Sequence, residues 1–139
     1  MIRTILLGYD GSPSSDDAFE FALDVAARYG AELHVLAVAR PPEFAEDVES
    51  TAVIENSRKH YDKVLGSLRP RLERAAIKVH THVVIGHPAE QLVRYAEGHR
   101  IDHIVVGHRG HTRFERWLIG SVARQVIAYA HCAVTVVRK

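Results

Sequence analysis

The stretch Thr4-Ile5-Leu6-Leu7-Gly8-Tyr9-Asp10-Gly11-Ser12-Pro13 changes character abruptly at Asp10. Before Asp10 it is mostly apolar, as in a strand buried on both faces, and after it come residues typical of turns and helix caps. From Ser14 or Ser15 apolar residues recur with a helical period, on a face that includes Phe21 and Tyr29, and Gly30 occupies the position of a helix C-cap. We therefore predict a strand over residues 4–9, a loop and a helix.

The same alternation of strand and helix continues to the end of the chain. Further apolar strands are predicted over residues 33–38, 79–85, 101–106 and 133–137. Helical periodicity is found over residues 54–72, where Pro70 is expected to kink or end the helix, after Pro88, and over residues 121–130. Residues 43–51 have no clear period and are interpreted as a loop or a frayed helix. Five strands alternating with helices predict one α/β domain with a doubly wound parallel sheet.

Composition narrows the class of protein. The 139 residues amount to one domain, and the single cysteine excludes a disulfide scaffold. Lys and Arg total 18 against 17 Asp and Glu, so the usual electrostatic case for a nucleic-acid or membrane-surface binder is missing. The apolar runs are too short for a transmembrane helix or a signal peptide. We expect a cytoplasmic protein without a nucleic-acid or membrane partner.

In an open α/β sheet a ligand binds beyond the carboxyl ends of the strands, where the strand order reverses. Two loops at predicted strand ends are unusual. One is Asp10-Gly11-Ser12, and the other has the spacing Gly107-x2-Gly110-x9-Gly120-Ser121 and leads directly into a helix. Glycines let the backbone approach a bulky anion closely. The second loop is therefore a candidate phosphate-binding segment.

Each part of this candidate site has a chemical reason. Gly120, Ser121 and Val122 would present free backbone N–H groups at a helix N-terminus, where phosphate is favoured, and the Ser121 hydroxyl would be either the N-cap or a phosphate ligand. Arg109 and Arg113 would meet phosphate charge, and Asp10 would accept hydrogen bonds from a ribose. The alternative is that the glycines serve only turns and caps. The chain has neither a Walker A sequence nor a Gly-x-Gly-x-x-Gly motif after the first strand, which disfavours P-loop NTPases and dinucleotide-binding enzymes.

With these motifs the chain resembles the universal stress protein family over essentially its whole length. The resemblance is carried by Ile5 to Ser12 with Ser15, Ala18 and Ala22, by Gly86-x-Pro88-Ala89, by the long glycine motif, and by His131 to Val137. The long glycine motif is the one associated with the ATP-binding branch of that family. Two departures are Arg113, where many relatives have glycine, and Ala133, where many have proline.

The resemblance implies a sheet ordered 3-2-1-4-5 and an ATP site at its reversal. Asp10 and Gly11 resemble the ribose or adenine contact, and Val38 resembles the position whose backbone holds the adenine edge. The remaining implied contacts, to ribose and phosphates, are Gly107, Arg109, Gly110, Gly120, Ser121 and Val122. A divalent ion, Mg²⁺ or Mn²⁺, would bridge the phosphates.

The function expected from this resemblance is that of an ATP-binding regulator in the stress response. Two alternatives stay open, a nucleotide-free dimeric interaction module of the same fold and a slow ATPase. No catalytic triad or nucleophile elbow is recognisable, so any hydrolysis should be slow. The apolar last strand, residues 133–137, would be a sheet edge, and pairing through it predicts a homodimer, with a downstream protein partner that the sequence does not name.

The ten histidines include one pair with the spacing of a metal site. His80 and His82 alternate on one face of the third strand, but no Cys, Asp or Glu lies nearby in sequence to complete a ligand set. A solvated edge strand is therefore the favoured interpretation. His108 and His111 flank the glycine loop, where we expect ligand contact or solvent exposure, and Cys132 is expected to be a packed small side chain.

Overall fold

The structure is a computed structural model, and it describes residues 2–41, 48–109 and 119–138. Its strands form one parallel sheet in the order β3-β2-β1-β4-β5, which confirms the predicted fold. The strands are β1 Thr4–Gly8, β2 Glu32–Ala39, β3 Val79–Ile85, β4 His103–Gly107 and β5 Ala133–Val137. The helices are α1 Pro13–Tyr29, α2 Val48–Gly66, α3 Arg69–Arg74, α4 Pro88–Gly98 and α5 Ser121–Tyr129.

Successive side chains of each central strand enter two different cores, because strand residues alternate between the faces of a sheet. Ile5 and Leu7 of β1 pack with α1, α2 and α3 on one face, and Leu6 packs with α4 and α5 on the other. All three side chains are fully buried. Burial on both faces is the reason that the strands read as continuous apolar runs in the sequence.

Local signals fix both ends of α1. The Ser12 Oγ accepts a hydrogen bond from the Ser15 N–H at 3.2 Å, so Ser12 is the N-cap, and the helix begins at Pro13 rather than at Ser14 or Ser15. Gly30 has φ of 63° and ends the helix in the left-handed region, as predicted.

The predicted buried face of α1 is partly wrong. Phe19 is 1% exposed and packs in the core, whereas Phe21 is 39% exposed and Tyr29 is 63% exposed. The buried stripe follows Ser15, Ala18, Phe19, Ala22 and Ala26, which is displaced around the helix from the predicted face. Two faces of similar apolar content compete in this helix, and packing on the sheet decides between them.

The predicted helix over residues 54–72 is divided into α2 and α3. It breaks between Gly66 and Arg69, shortly before Pro70, which occupies the first turn of α3. The segment interpreted as a loop or frayed helix contains the start of α2 at Val48, and residues 42–47 lie outside those that the structure describes. Pro88 begins α4, as expected.

The sheet order places the reversal between β1 and β4. The helix that follows β1 lies on one face of the sheet, and α5, which follows β4, lies on the opposite face. The two connections therefore leave the sheet in opposite directions and open a crevice beyond the carboxyl ends of these strands. Within the described parts of the chain, no helix combines the length and the apolar character needed to cross a bilayer.

Candidate functional site

The loop after β1 is held in a fixed turn. The Asp10 Oδ1 accepts a hydrogen bond from the Ser12 N–H at 2.9 Å, and the Asp10 N–H lies 3.4 Å from the Ser15 Oγ. Gly11 has φ of +83°, a conformation that side chains disfavour, so glycine is required at this position by the turn itself. The half-buried Asp10 carboxylate is thereby placed at the mouth of the crevice.

The end of β4 packs directly on the first turn of α1. A Cβ at Gly107 would lie 2.6 Å from the carbonyl oxygen of Ser14, closer than side chains tolerate, and the Ser14 Oγ accepts a hydrogen bond from the Arg109 N–H at 3.2 Å. This contact brings the segment after β4 against the start of the helix that follows the β1 loop. It also gives Gly107 a packing role that needs no ligand.

The start of α5 differs from the prediction in one respect. The Gly120 N–H donates a hydrogen bond to the carbonyl oxygen of His108 at 2.6 Å, so the expectation of a free amide at Gly120 is wrong. Gly120, not Ser121, is the N-cap, because its own carbonyl accepts the first helical bond, from the Arg124 N–H. Ser121 and Val122 are then the first two helical residues, whose N–H groups have no partner inside the helix.

A cavity of about 310 Å³ opens beside this helix start. It lies between the first turns of α4 and α5 and is bordered by Ser121, Val122 and Gln125 on one side and by His87, Pro88, Ala89 and Glu90 on the other, with Arg40. The exposed Arg40 directly follows β2 and brings a positive charge to this cavity. Sequence reasoning missed Arg40, although its place immediately after a strand was a usable signal.

The main chain of Val38 points past the end of β1. The carbonyl of Leu36 accepts a hydrogen bond from the Tyr9 N–H, so Leu36 presents its N–H and C=O to the β1 side. Because this direction alternates along a strand, Val38 presents its N–H and C=O to the same side. The pairing of β1 with β2 ends at Gly8 and Leu36, which leaves the backbone of Val38 facing the crevice.

His108 is buried, 6% exposed, so the expectation of solvent exposure is wrong. Its Nδ1 makes no hydrogen bond to the residues that the structure describes. Burial, with added repulsion from Arg109 and Arg138, holds the pKa of His108 below its ordinary value. A buried imidazole whose Nδ1 has no hydrogen-bond partner among the described residues therefore lies directly after β4.

The predicted site residues fall into two groups that the structure brings to the same edge of the sheet. Asp10, Gly11, Gly107 and Arg109 meet around the start of α1, and Gly120, Ser121 and Val122 begin α5. Gly110, His111 and Arg113 lie outside the described part of the chain. The backbone amides and the cationic side chains of Arg40 and Arg109 suit a polar anionic ligand, and the carboxylates of Asp10 and Glu90 add hydrogen-bond acceptors.

Comparisons with known proteins agree with this fold. The chain is 32% identical to a universal stress protein of Methanocaldococcus jannaschii, over all of this chain and 84% of that protein. A solved universal stress protein of Lactobacillus plantarum superposes with a TM-score of 0.91 at 26% identity, covering 98% of this chain and 97% of that one. A universal stress protein solved in complex with cAMP has a TM-score of 0.76 at 26% identity, with 98% and 97% covered.

The match to the family itself extends over residues 1–138, that is, over every strand and helix of the sheet and both loops at its reversal. The chain belongs to the universal stress protein family.

Proposed function

We propose that the crevice between β1 and β4 binds an adenine nucleotide and that this nucleotide is ATP. The observation that carries the proposal is the convergence of the Asp10 turn, the Arg109 backbone and the start of α5 at the reversal of the sheet. A family member with the same architecture was solved in complex with cAMP, which supports an adenine-containing ligand. Asp10 and Gly11 would contact the ribose, and the Val38 backbone would contact the adenine edge.

The phosphates would lie against Gly107, Arg109, Gly110 and the first turn of α5. The fit is supported by the Nδ1 of buried His108, which has no hydrogen-bond partner among the described residues. It is also supported by the cavity at Ser121 and Val122 with Arg40 at its border. Since the Gly120 amide is already bonded, the Ser121 and Val122 amides would be the principal main-chain donors. Mg²⁺ or Mn²⁺ would be held chiefly by phosphate oxygens.

The biological role we propose is that of a nucleotide-dependent regulator in the stress response of the cytoplasm. Nucleotide occupancy would change the loop between Gly107 and Gly120 and thereby the contacts of a downstream protein. A nucleotide-free interaction module is the second candidate, and the Gly107–Ser14 packing favours it, because that contact explains one motif glycine without a ligand. A slow ATPase is the third.

The decisive experiment is to denature the purified protein and identify any adenine nucleotide released. In parallel, thermal melting is compared with and without Mg-ATP. At one hundred times its dissociation constant, ATP should stabilise the fold by about 2.7 kcal/mol, which is on the order of 10 °C for a domain of this size. No shift at millimolar ATP would favour the nucleotide-free module, and turnover faster than about 1 s⁻¹ would favour an enzyme.

We also propose a homodimer formed through β5. Among the residues that the structure describes, this strand pairs only with β4 and so forms an edge of the sheet. All its residues except Ala133 are half-buried. The other edge strand, β3, carries the polar side chains of His80 and His82 and is preceded by Lys78, and such polar side chains discourage strand pairing. A two-fold contact through β5 would cover the apolar edge and leave the polar one in solvent.

A further inference from the structure

We propose that Glu32, His34 and His80 form a binding site for a divalent transition-metal ion, Zn²⁺ being the representative ion. This metal-binding triad lies on the α4 face of the sheet, at the start of β2 and β3. The nucleotide crevice lies beyond the opposite ends of the strands. The two sites are therefore separate, and metal binding does not depend on the proposed function.

Strand register brings the three side chains together. His34 and His80 are directly paired on neighbouring strands, and Glu32 precedes His34 by two residues and so shares its face of β2. One ligand atom from each of the three lies within 4.8 Å of the other two. The Nε2 of His34 is 3.7 Å from the Glu32 Oε1, and the Nε2 of His80 is hydrogen-bonded to that same oxygen.

These distances are close to those of an assembled site. Ligand atoms about 2.0–2.2 Å from a tetrahedral ion are roughly 3.4 Å from one another, so the triad needs side-chain shifts of about an ångström or less. The ion would replace the proton shared by His80 and Glu32, and it would leave one position for water. Three protein ligands with an open fourth position are a common arrangement around zinc.

The residues around His34 orient its Nε2 toward the proposed metal ion. His34 is 7% exposed, and its Nδ1 lies 2.6 Å from the Tyr95 Oη. With the Nδ1–H donating to that hydroxyl, the lone pair of Nε2 is left for the ion, which is the outer hydrogen bond that metal-bound histidines usually make. The His34 ring also stacks on that of His80, at 4.6 Å between centroids. His34, the most buried of the three ligands, therefore already has its position and orientation fixed by these contacts.

The nature of the donors selects the class of ion. Two imidazoles and a carboxylate suit Zn²⁺ and its neighbours in the first transition row, whereas Mg²⁺ and Ca²⁺ prefer an all-oxygen site. One charge opposes binding, because the Lys78 Nζ lies 3.8 Å from the Glu32 Oε1. That side chain is 72% exposed and can turn into solvent when an ion arrives.

Calorimetric titration of ZnCl₂ into metal-free, nucleotide-free protein tests the proposal. We expect one tight Zn²⁺ per chain, and no binding of Mg²⁺ at this site. Glu32→Gln and His80→Asn should each weaken the affinity by at least about tenfold, the loss typical of disturbing a metal centre. His131→Asn, which alters an exposed histidine at the start of the segment leading to β5, should leave it unchanged. Lys78→Met should raise the affinity by roughly two- to fivefold.

Cobalt substitution supplies a readout of geometry. The wild-type protein with Co²⁺ should show the strong visible absorption of a four-coordinate site, and His80→Asn should lose it. Equal affinity in the wild type, Glu32→Gln and His80→Asn would overturn the proposal, as would Zn²⁺ uptake that only His131→Asn reduces. Circular dichroism of the metal-free variants establishes that they are folded, and if His80→Asn is not, Glu32→Gln decides alone.

Discussion

The carbonyl oxygen of His108 accepts the hydrogen bond of the Gly120 amide at 2.6 Å, which joins the end of β4 to the start of α5. The His108 N–H in turn donates to the carbonyl oxygen of Val137, at the end of β5, at 3.1 Å. The backbone of one residue therefore ties together the end of β4, the last strand and the last helix. The two residues that border the segment 109–119, His108 and Gly120, therefore lie side by side at the crevice.

Gly107→Ala should destabilise the protein whether or not nucleotide is present. The new methyl group would lie 2.6 Å from the carbonyl oxygen of Ser14, and overpacking of this kind costs about 1–3 kcal/mol in the free energy of unfolding. Urea unfolding measures the loss. Adding Ser14→Ala should not restore stability, because the opposing carbonyl belongs to the backbone. Gly66→Ala, where an added Cβ meets no atom within 4 Å, is the control, and equal effects of the two glycine variants would contradict the packing argument.

Gly120→Val should abolish the thermal shift produced by Mg-ATP while leaving the free protein folded. Gly120 has φ of −61° and ψ of 157°, an extended conformation that valine adopts easily, but its side chain would occupy space that we assign to the phosphates. Melting curves with and without Mg-ATP measure the effect. Gly98→Ala, in open space at the end of α4, should keep the full shift. A normal shift in Gly120→Val would remove this residue from the site.

Acid should destabilise the fold through His108, which is buried, and His103, which is half-buried. Burial lowers the pKa of His103 and, with Arg109 and Arg138, that of His108. Below pH 6.5, the ordinary pKa of histidine, these two side chains are protonated in the unfolded chain but not yet in the folded one. The free energy of unfolding therefore falls as the pH falls from about 7 to 5.

Urea unfolding across this pH range, in the presence of a chelator, measures the slope. His108→Gln should reduce it, because glutamine does not titrate, and His60→Gln, which changes an exposed residue of α2, should not. If stability rose on acidification, the stated direction of these pKa shifts would be wrong.

The sheet was predictable because its central strands are buried on both faces. Such strands need unbroken apolar runs, as in Ile5-Leu6-Leu7. Strand order needed more than periodicity, and it came from the family resemblance. The buried face of α1 was not predictable in full, since Phe19 and Phe21 offer competing stripes and only contact with the sheet selects Phe19.

The metal-binding triad is a second feature that the sequence alone could not predict. His80 was noticed for its spacing to His82, but its partners are Glu32, which is 48 residues away in the chain, and His34. Pairing of β2 with β3 in one register creates that neighbourhood, and a shift by one residue would turn His80 to the opposite face. Likewise, the bond between Gly120 and His108 depends on how the loop closes, which spacing alone does not reveal.

The dimer through β5 can be tested on the backbone itself. The carbonyl of Val137 bonds to β4, so by alternation the N–H of Val136 points to the open edge. Val136→Pro would remove an edge donor without removing a bond to β4, and proline is tolerated at such positions. Light scattering should then give twice the 15.5 kDa chain mass for the wild type and the single mass for the variant.

Thr81→Pro is the matched control on the other edge. The carbonyl of Lys78 accepts a bond from the Leu33 N–H of β2, so Thr81, three residues later, presents its N–H to the solvent side of β3. A proline there imposes the same backbone change on a strand that we do not expect to pair, and the dimer should persist. A wild type of 15.5 kDa at micromolar concentration, or dissociation by Thr81→Pro instead, would move the interface away from β5.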